Sequence, residues 1–463
     1  MKFLKYGLHN FSNFNTHEFR KLRLLPMTEI LILAIFCVAL LTSLVVGESL
    51  LYALGFGLLL FGGYGVCRCG LRKTAEMCWG GVKTTRGILL LFVLLGLLTS
   101  LWRASGTIPT IVSYAVELIH PTSFILLTFL LNSAMSLLTG TALGTAGTMG
   151  VICATVGRTL GVDDAWMGGA ILAGVYFGNR ISPISSMALL AANVTKTDIY
   201  QNVRGMLRTT WLPFLLSCGI YFVAGIVGDG VAASSVSPVS RNIAELFSRE
   251  FSLSLWSLIP ALVIVALSVA RVRTSLVLLW SSFAAFVVAI MIENQSVINL
   301  LKSIIFGYET TVPEMAKMIN GGGLVSMVNV FAIVVIAGCF GGIFKGTNML
   351  TPLQLLVAKL SKRTNPFVAT LTAAVVTSCV VCNQTLTIIL TNQMTENLDG
   401  SNRDQHALNI YDSAVTVIAL VPWSVATAIV LTAVNAPNSA VLCACFLYLL
   451  PLCRVIQSLV KRS

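Results

Sequence analysis

Four clusters of polar side chains interrupt the apolar runs of this chain, and their types suit the handling of a small solute. The first is Asn132-Ser133, Ser136 and Thr139-Gly140-Thr141 through Gly144-Thr145. Hydroxyl oxygens and freed carbonyls can replace the water shell of a small cation or hydrogen-bond an organic solute; the competing reading is that Gly and Thr merely let helices approach closely. The second runs from Gly174 to Ser186, where Pro183 removes a helix hydrogen bond and Asn179, Ser182 and Ser185 gather around the break. The third is Thr377-Ser378 with Asn383-Gln384-Thr385, and the fourth runs from Asp412-Ser413 through Thr416 to Pro422-Trp423-Ser424.

Two charges stand out in these apolar settings. A guanidinium inside a membrane is costly unless paired, so Arg180 should meet an anionic solute, an acid or helix carbonyls; snorkelling to an interface would account for it equally well. Asp412 is the one carboxylate expected within a broken span, where it could hold a cation or trade it for a proton. A helix-terminal position in water is its bland alternative. Cys379 and Cys382 form a C-x-x-C, but no second pair or histidine accompanies them, so no resident metal or other cofactor is expected. The twelve cysteines lie mostly in apolar runs and read as buried thiols, and His406 reads as a polar-loop residue. His17-Glu18 lacks the second histidine of a zinc-protease motif and no phosphate-binding loop occurs, which argues against an enzyme.

Membrane helices must position these residues. Of the 463 residues, 56% are hydrophobic and 10% charged, and the mean hydropathy is +0.88; an ordinary soluble protein carries about 25% charged residues. The composition excludes a soluble enzyme, a nucleic-acid reader and a disordered scaffold. A lipid bilayer is the expected surrounding, with no nucleic-acid partner. The net charge of +12 is then a statement about topology, since basic loops stay in the cytoplasm. Apolar spans are expected at 28–46, 49–66, 87–102, 209–228, 251–270, 274–292, 324–343 and 438–455. The first is too long for a cleavable signal and follows a basic tail over 1–27, which keeps the amino terminus inside. A loop over 67–86 with Arg68, Arg72, Lys73, Lys83 and Arg86 falls on the same side, as do Lys196, Arg204, Arg208, Arg271 and Arg273. The 293–320 loop, with Glu293, Glu309 and Glu314, falls on the other, and Lys345, Lys359, Lys362 and Arg363 return inside, as does a short carboxyl-terminal tail over 457–463.

The chain also repeats itself. Gly80-Gly81 followed by Leu101-Trp102-Arg103 answers to Gly322-Gly323 followed by Ile343-Phe344-Lys345. His120-Pro121 answers to Asn365-Pro366, and Asn132-Ser133 to Thr377-Ser378. The charge map closes if 28–228 and 251–456 are two inverted-topology repeats joined at 229–250. Each would hold about five transmembrane helices, a re-entrant hairpin (121–157 and 366–395) and a broken helix (166–194 and 408–436). This all-α polytopic plan is that of a secondary transporter, because irregular backbone at membrane depth is tolerated only where it is buried or lines a wet cavity. Paired breaks favour alternating access over an open pore.

The ordered set Thr139-Gly140-Thr141, Gly144-Thr145, Tyr176-Phe177-Gly178, Ser182-Pro183, Ser185, Asp412-Ser413 and Pro422-Trp423 resembles the NhaC-type Na+/H+ antiporters over about residues 28–455. The resemblance implies a bacterial inner-membrane antiporter, with exchangers of organic acids such as malate and lactate among its relatives. Three positions depart from the family pattern. Asn179 stands for an Asp, Ser186-Met187 for an Asp-Thr pair and Asn383-Gln384 for an Asp-Gln pair, and an amide can ligate Na+ but cannot accept a proton. The expected site is therefore Asp412 for coupling, with Asn179, Ser182, Ser185, Thr141, Thr145, Asn383 and Thr385 as neutral ligands and Arg180 orienting an anion or bracing the site. Na+ would sit among Asn179, Ser182, Asn383 and Asp412. Na+/H+ exchange is the leading expectation, and a Na+- or H+-coupled carrier of a small organic acid or amino acid is the alternative. Gly55 and Gly57 would permit contact with a second copy, a homodimer, or equally contact within one chain.

Overall fold

The computed structural model describes residues 26–46, 49–118, 121–232, 247–270, 272–310, 312, 316–351, 365–396, 398 and 402–460. The tail up to residue 25, His120, most of the 229–250 connection, Arg271, Glu314, Lys359, Lys362, Arg363 and residues 461–463 lie outside the described residues. Apolar runs become helices because only a helix satisfies its own backbone in lipid. Among the described residues the regular elements are all helical, apart from one isolated bridge between Tyr308 and Gly321.

Helices α1 (Pro26–Val46), α2 (Leu50–Cys69) and α3 (Leu71–Ala104) come first. After α4 (Thr107–Leu118), α5 (Pro121–Thr139) reaches a turn at Gly140 and the chain returns through α6 (Ala142–Thr145), a π turn (Ala146–Gly150) and α7 (Val151–Thr159). A break at residues 182–185 separates α8 (Asp164–Ile181) from α9 (Ser186–Thr195), and the long α10 (Ile199–Ala232) follows. Then come α11 (Ile259–Val269), α12 (Thr274–Met291), α13 (Val297–Phe306), α14 (Ala316–Ile319) and α15 (Val328–Thr347). Cys382 and Asn383 turn the chain between α16 (Pro366–Val381) and α17 (Gln384–Thr395). A second interrupted stretch comprises α18 (Arg403–Tyr411), α19 (Ala414–Val417), a 3-10 turn (Ile418–Leu420) and α20 (Val425–Ala433). The last helix is α21 (Cys445–Val460). Among the described residues six helices are long and apolar enough to cross a membrane, and the segments Arg403–Leu420 and Val425–Ala433, bent by 56°, make up to a seventh span. Leu59, 76% exposed, and Phe283, 57% exposed, illustrate the apolar outer faces that lipid would cover.

The expected loop over 67–86 is a correction: α2 runs to Cys69 and α3 starts at Leu71, so only Gly70 interrupts the helix. At 1.5 Å per residue, α3 is roughly 50 Å long and exceeds a hydrocarbon core of about 30 Å. Its basic first turns therefore project beyond the apolar slab as helix. Likewise the 293–320 connection contains α13.

Close backbone contact holds α3 against α15. A Cβ on Gly81 would lie 2.0 Å from the Gly338 carbonyl oxygen, so nothing larger than glycine fits that crossing. Phe36, Phe61, Phe340 and Phe344 then join α1, α2 and α15 edge to face, with ring centroids from 4.9 Å for Phe36 and Phe61 to 5.4 Å for Phe36 and Phe340. A second aromatic group, Phe129, Phe177, Phe214, Tyr221 and Phe446, packs α5, α8, α10 and α21 together. Gly57, one of the glycines expected to permit close contact, meets Phe36 of its own chain.

Both interrupted stretches fall where the prolines lie. Ser185 caps α9 by accepting the Ala188 N–H, and Ser424 caps α20 by accepting the Thr427 N–H. The two turns share a backbone conformation. Gly140 (φ +67°) and Cys382 (φ +57°) are left-handed, and each precedes a residue at φ −134°, ψ 124°, Thr141 in one case and Asn383 in the other.

Candidate functional site

Asp412 caps the carboxyl end of α18, at the first interruption of the second stretch, and its side chain is wholly buried. Three groups converge on its carboxylate. Arg180, in the last turn of α8 and also wholly buried, pairs with Oδ1 through Nη2, and Thr209 on α10 donates to the same oxygen at 3.3 Å. Arg454 on α21 brings Nε to within 2.7 Å of Oδ2, a charge contact whose angles do not make it a hydrogen bond. Arg180 is further satisfied by the Tyr411 carbonyl at 3.2 Å and by the hydroxyls of Thr209 at 3.0 Å and Thr210. Arg454 donates to Asn409 Oδ1 at 3.4 Å and lies over the Phe367 ring at 5.3 Å. Two guanidiniums and one carboxylate leave the cluster with one excess positive charge.

These contacts decide between the two readings of each lone charge. Arg180 does not snorkel, and Asp412 is not a helix end in water. Four elements far apart in sequence, α8, α10, α18 and α21, are tied at one point, and a buried charge pair of this kind is costly to break.

The neutral residues singled out from the sequence lie at the turns and breaks, each with its own partner. Ser185 donates to Asn179 Oδ1 at 2.9 Å across the first break, and Ser182 donates to the Leu137 carbonyl at 2.8 Å. Thr145 is 3.0 Å from the Thr139 hydroxyl and donates to the Thr141 carbonyl at 2.9 Å. Thr141 Oγ1 lies 3.4 Å from Thr274 Oγ1 at the start of α12. Asn383 caps α17 by accepting the Leu386 N–H at 3.3 Å, while Thr385 Oγ1 is 3.9 Å from the Met187 sulfur. The first turn packs on the first break, since a Cβ on Gly140 would sit 2.8 Å from Ile184 Cγ1. The second packs on the second break, where the Val425 N–H donates to the Cys382 carbonyl at 2.9 Å. Four described side chains therefore bond as two separate pairs: Asn179 with Ser185, and Asp412 with Arg180.

Arg454, Thr209, Thr210 and Thr274 were not singled out from the sequence. Arg454 carried a readable signal, a lone cation in the apolar run 438–455; the threonines carried none. His406, expected in a polar loop, is instead 5% exposed on α18 with its ring nitrogen 3.0 Å from Asn392 Oδ1. All twelve cysteines are free. Among the described residues no group of three or more His, Cys, Asp or Glu is placed to hold a metal ion.

A model of the Na+/H+ antiporter family matches residues 174–459, which takes in both breaks, Arg180, Asp412 and Arg454. The chain is 27% identical to a malate-2H(+)/Na(+)-lactate antiporter of Bacillus subtilis, over 74% of each chain. To the Na(+)/H(+) antiporter NhaC of Alkalihalophilus pseudofirmus it is 29% identical over 80% of each. An arginine/ornithine antiporter of Halobacterium salinarum is 28% identical over 64% of this chain and 62% of its own.

Proposed function

Because the chain belongs to the Na+/H+ antiporter family, whose members are secondary transporters and not enzymes, we propose that it exchanges a small organic anion or amino acid by alternating access. Na+ or H+ is the coupling ion, and the bacterial cytoplasmic membrane its location. One observation carries this reading. Among the described residues, Asp412 is the carboxylate buried within the interrupted stretches, and it is occupied by Arg180 and Arg454, so the breaks offer a bare cation no free buried acid and carry a surplus positive charge. A carboxylate-bearing solute complements that surplus. The neutral residues at Asn179, Ser186 and Asn383 agree with it, since none can trade a proton.

The two turns and two breaks read as the cores of inverted repeats spanning 28–228 and 251–456. Their support is the shared dihedral pair at Thr141 and Asn383 and the serine caps after Pro183 and Pro422. In this reading the α8–α9 and α18–α20 stretches move with their hairpins against a scaffold of α1, α2, α3 and α15. Asn179, Ser182, Ser185, Thr141, Thr145, Asn383 and Thr385 supply neutral ligands for solute or Na+.

Plain Na+/H+ exchange is the second reading, favoured by the names of relatives such as the NhaC protein. Counterflow in proteoliposomes separates the two. Vesicles loaded with malate, lactate, arginine or ornithine should accumulate the matching labelled solute, and failure with every organic solute would leave the second reading standing.

A further inference from the structure

A cavity of about 330 Å³ lies between the tip of the first hairpin and the turn joining α11 to α12. That volume sits at the lower end of the roughly 300–1,000 Å³ typical of small-molecule pockets. Thr139, Thr141, Thr148, Ser268 and Thr274 line it together with Arg273, and no described Asp or Glu does. Arg273 makes no ion pair or side-chain hydrogen bond among the described residues, and it is exposed at the rim. It also occupies the N-cap of the 18-residue α12, with no side chain capping that end. Guanidinium and helix dipole are both positive there, no described side chain pairs with the one or caps the other, and the field favours an anion.

The cavity adjoins the proposed site through Thr141, one of the proposed neutral ligands. Ile184 forms part of its wall, and the next residue, Ser185, holds Asn179. Thr141 of the hairpin and Thr274 of α12 meet in its wall, their hydroxyl oxygens 3.4 Å apart. A solute admitted here would exchange a guanidinium contact at the rim for hydroxyls deeper in. Gly144 keeps the floor open, because a Cβ there would lie 2.4 Å from Thr141 Oγ1 and 2.8 Å from Thr274 Cγ2.

We propose that this cavity is the chamber through which a short carboxylate loads from one face of the membrane, with Arg273 the residue that selects for its charge. The assignment rests on the organic-anion reading given above. It concerns one face only, the one on which the exposed Arg273 of the α11–α12 turn lies.

The test uses the full chain in proteoliposomes of uniform orientation, with labelled acetate, lactate, succinate and malate as probes and chloride and sulfate as competitors. Exchange is measured with the probe varied inside and outside separately. Loss of a charge-assisted contact in Arg273→Gln should raise KM about tenfold from one face, with kcat and the opposite-face KM unchanged. Arg273→Lys should recover part of the loss, and Gly144→Ala should slow loading from the same face. An Arg273→Gln protein whose KM is unchanged from both faces, while the wild type exchanges a carboxylate, overturns the chamber and leaves the organic-anion reading intact. Competition by chloride and sulfate as strong as that by the carboxylates overturns the selectivity. A wild type that exchanges none of the probes, in the counterflow panel above as well as here, removes both.

Discussion

Asp412 and Arg180 were each legible as a lone charge in an apolar run, but their pairing was not. They lie 232 positions apart, and nothing in a single chain of letters brings α18 onto α8. Removing one member should be more damaging than removing both. Asp412→Asn leaves the buried Arg180 and the half-buried Arg454 without their shared carboxylate and should destabilise the protein by about 3–5 kcal/mol. Thermal unfolding in detergent checks this, and Asp412→Asn combined with Arg180→Gln should melt above the Asp412→Asn protein. Equal melting temperatures for wild type and Asp412→Asn would refute the buried cluster. Ser185→Ala tests a smaller contact, with an expected cost of about 1 kcal/mol from the lost cap, measured the same way.

At the scale of elements, the breaks were readable because proline and glycine have local, unambiguous backbone effects. Pro183 and Pro422 mark the two interruptions, and Gly140 marks the first turn. The second turn was harder to place, since Cys382 adopts a left-handed conformation that its residue type does not advertise. Charge misled at 67–86: a helix that outruns the bilayer needs polar residues at its projecting end, and these look like a loop. Gly140→Val should abolish exchange while leaving the protein folded, because it strains a positive φ and pushes into Ile184 at the hairpin tip. Gly81→Leu should instead act on the scaffold, by overpacking the α3–α15 crossing. Size-exclusion profiles and melting curves distinguish the two, with only Gly81→Leu expected to lose the monodisperse folded peak.

For the whole molecule, composition settled the membrane setting and the family resemblance settled the class of machine. The solute was not legible, because it depends on how a few charges pair across the fold. If the hairpin moves relative to α12, tying them together should stop the cycle. Thr141→Cys with Thr274→Cys, whose native hydroxyls are 3.4 Å apart, supplies the tie in a background with the native cysteines replaced. Oxidation should halt exchange and reductant should restore it; exchange that continues through a formed cross-link would deny the motion.

The charge surplus around Asp412 calls for an organic anion. That requirement is tested most directly in proteoliposomes holding a pH dye, with Na+ pulses given first alone and then with the carboxylates and amino acids of the counterflow panel. Na+ alone should give little response, and Na+- or H+-coupled exchange should appear once an accepted solute is present. Rapid proton movement on the Na+ pulse alone, unaltered by any organic solute, would contradict it and restore plain Na+/H+ antiport.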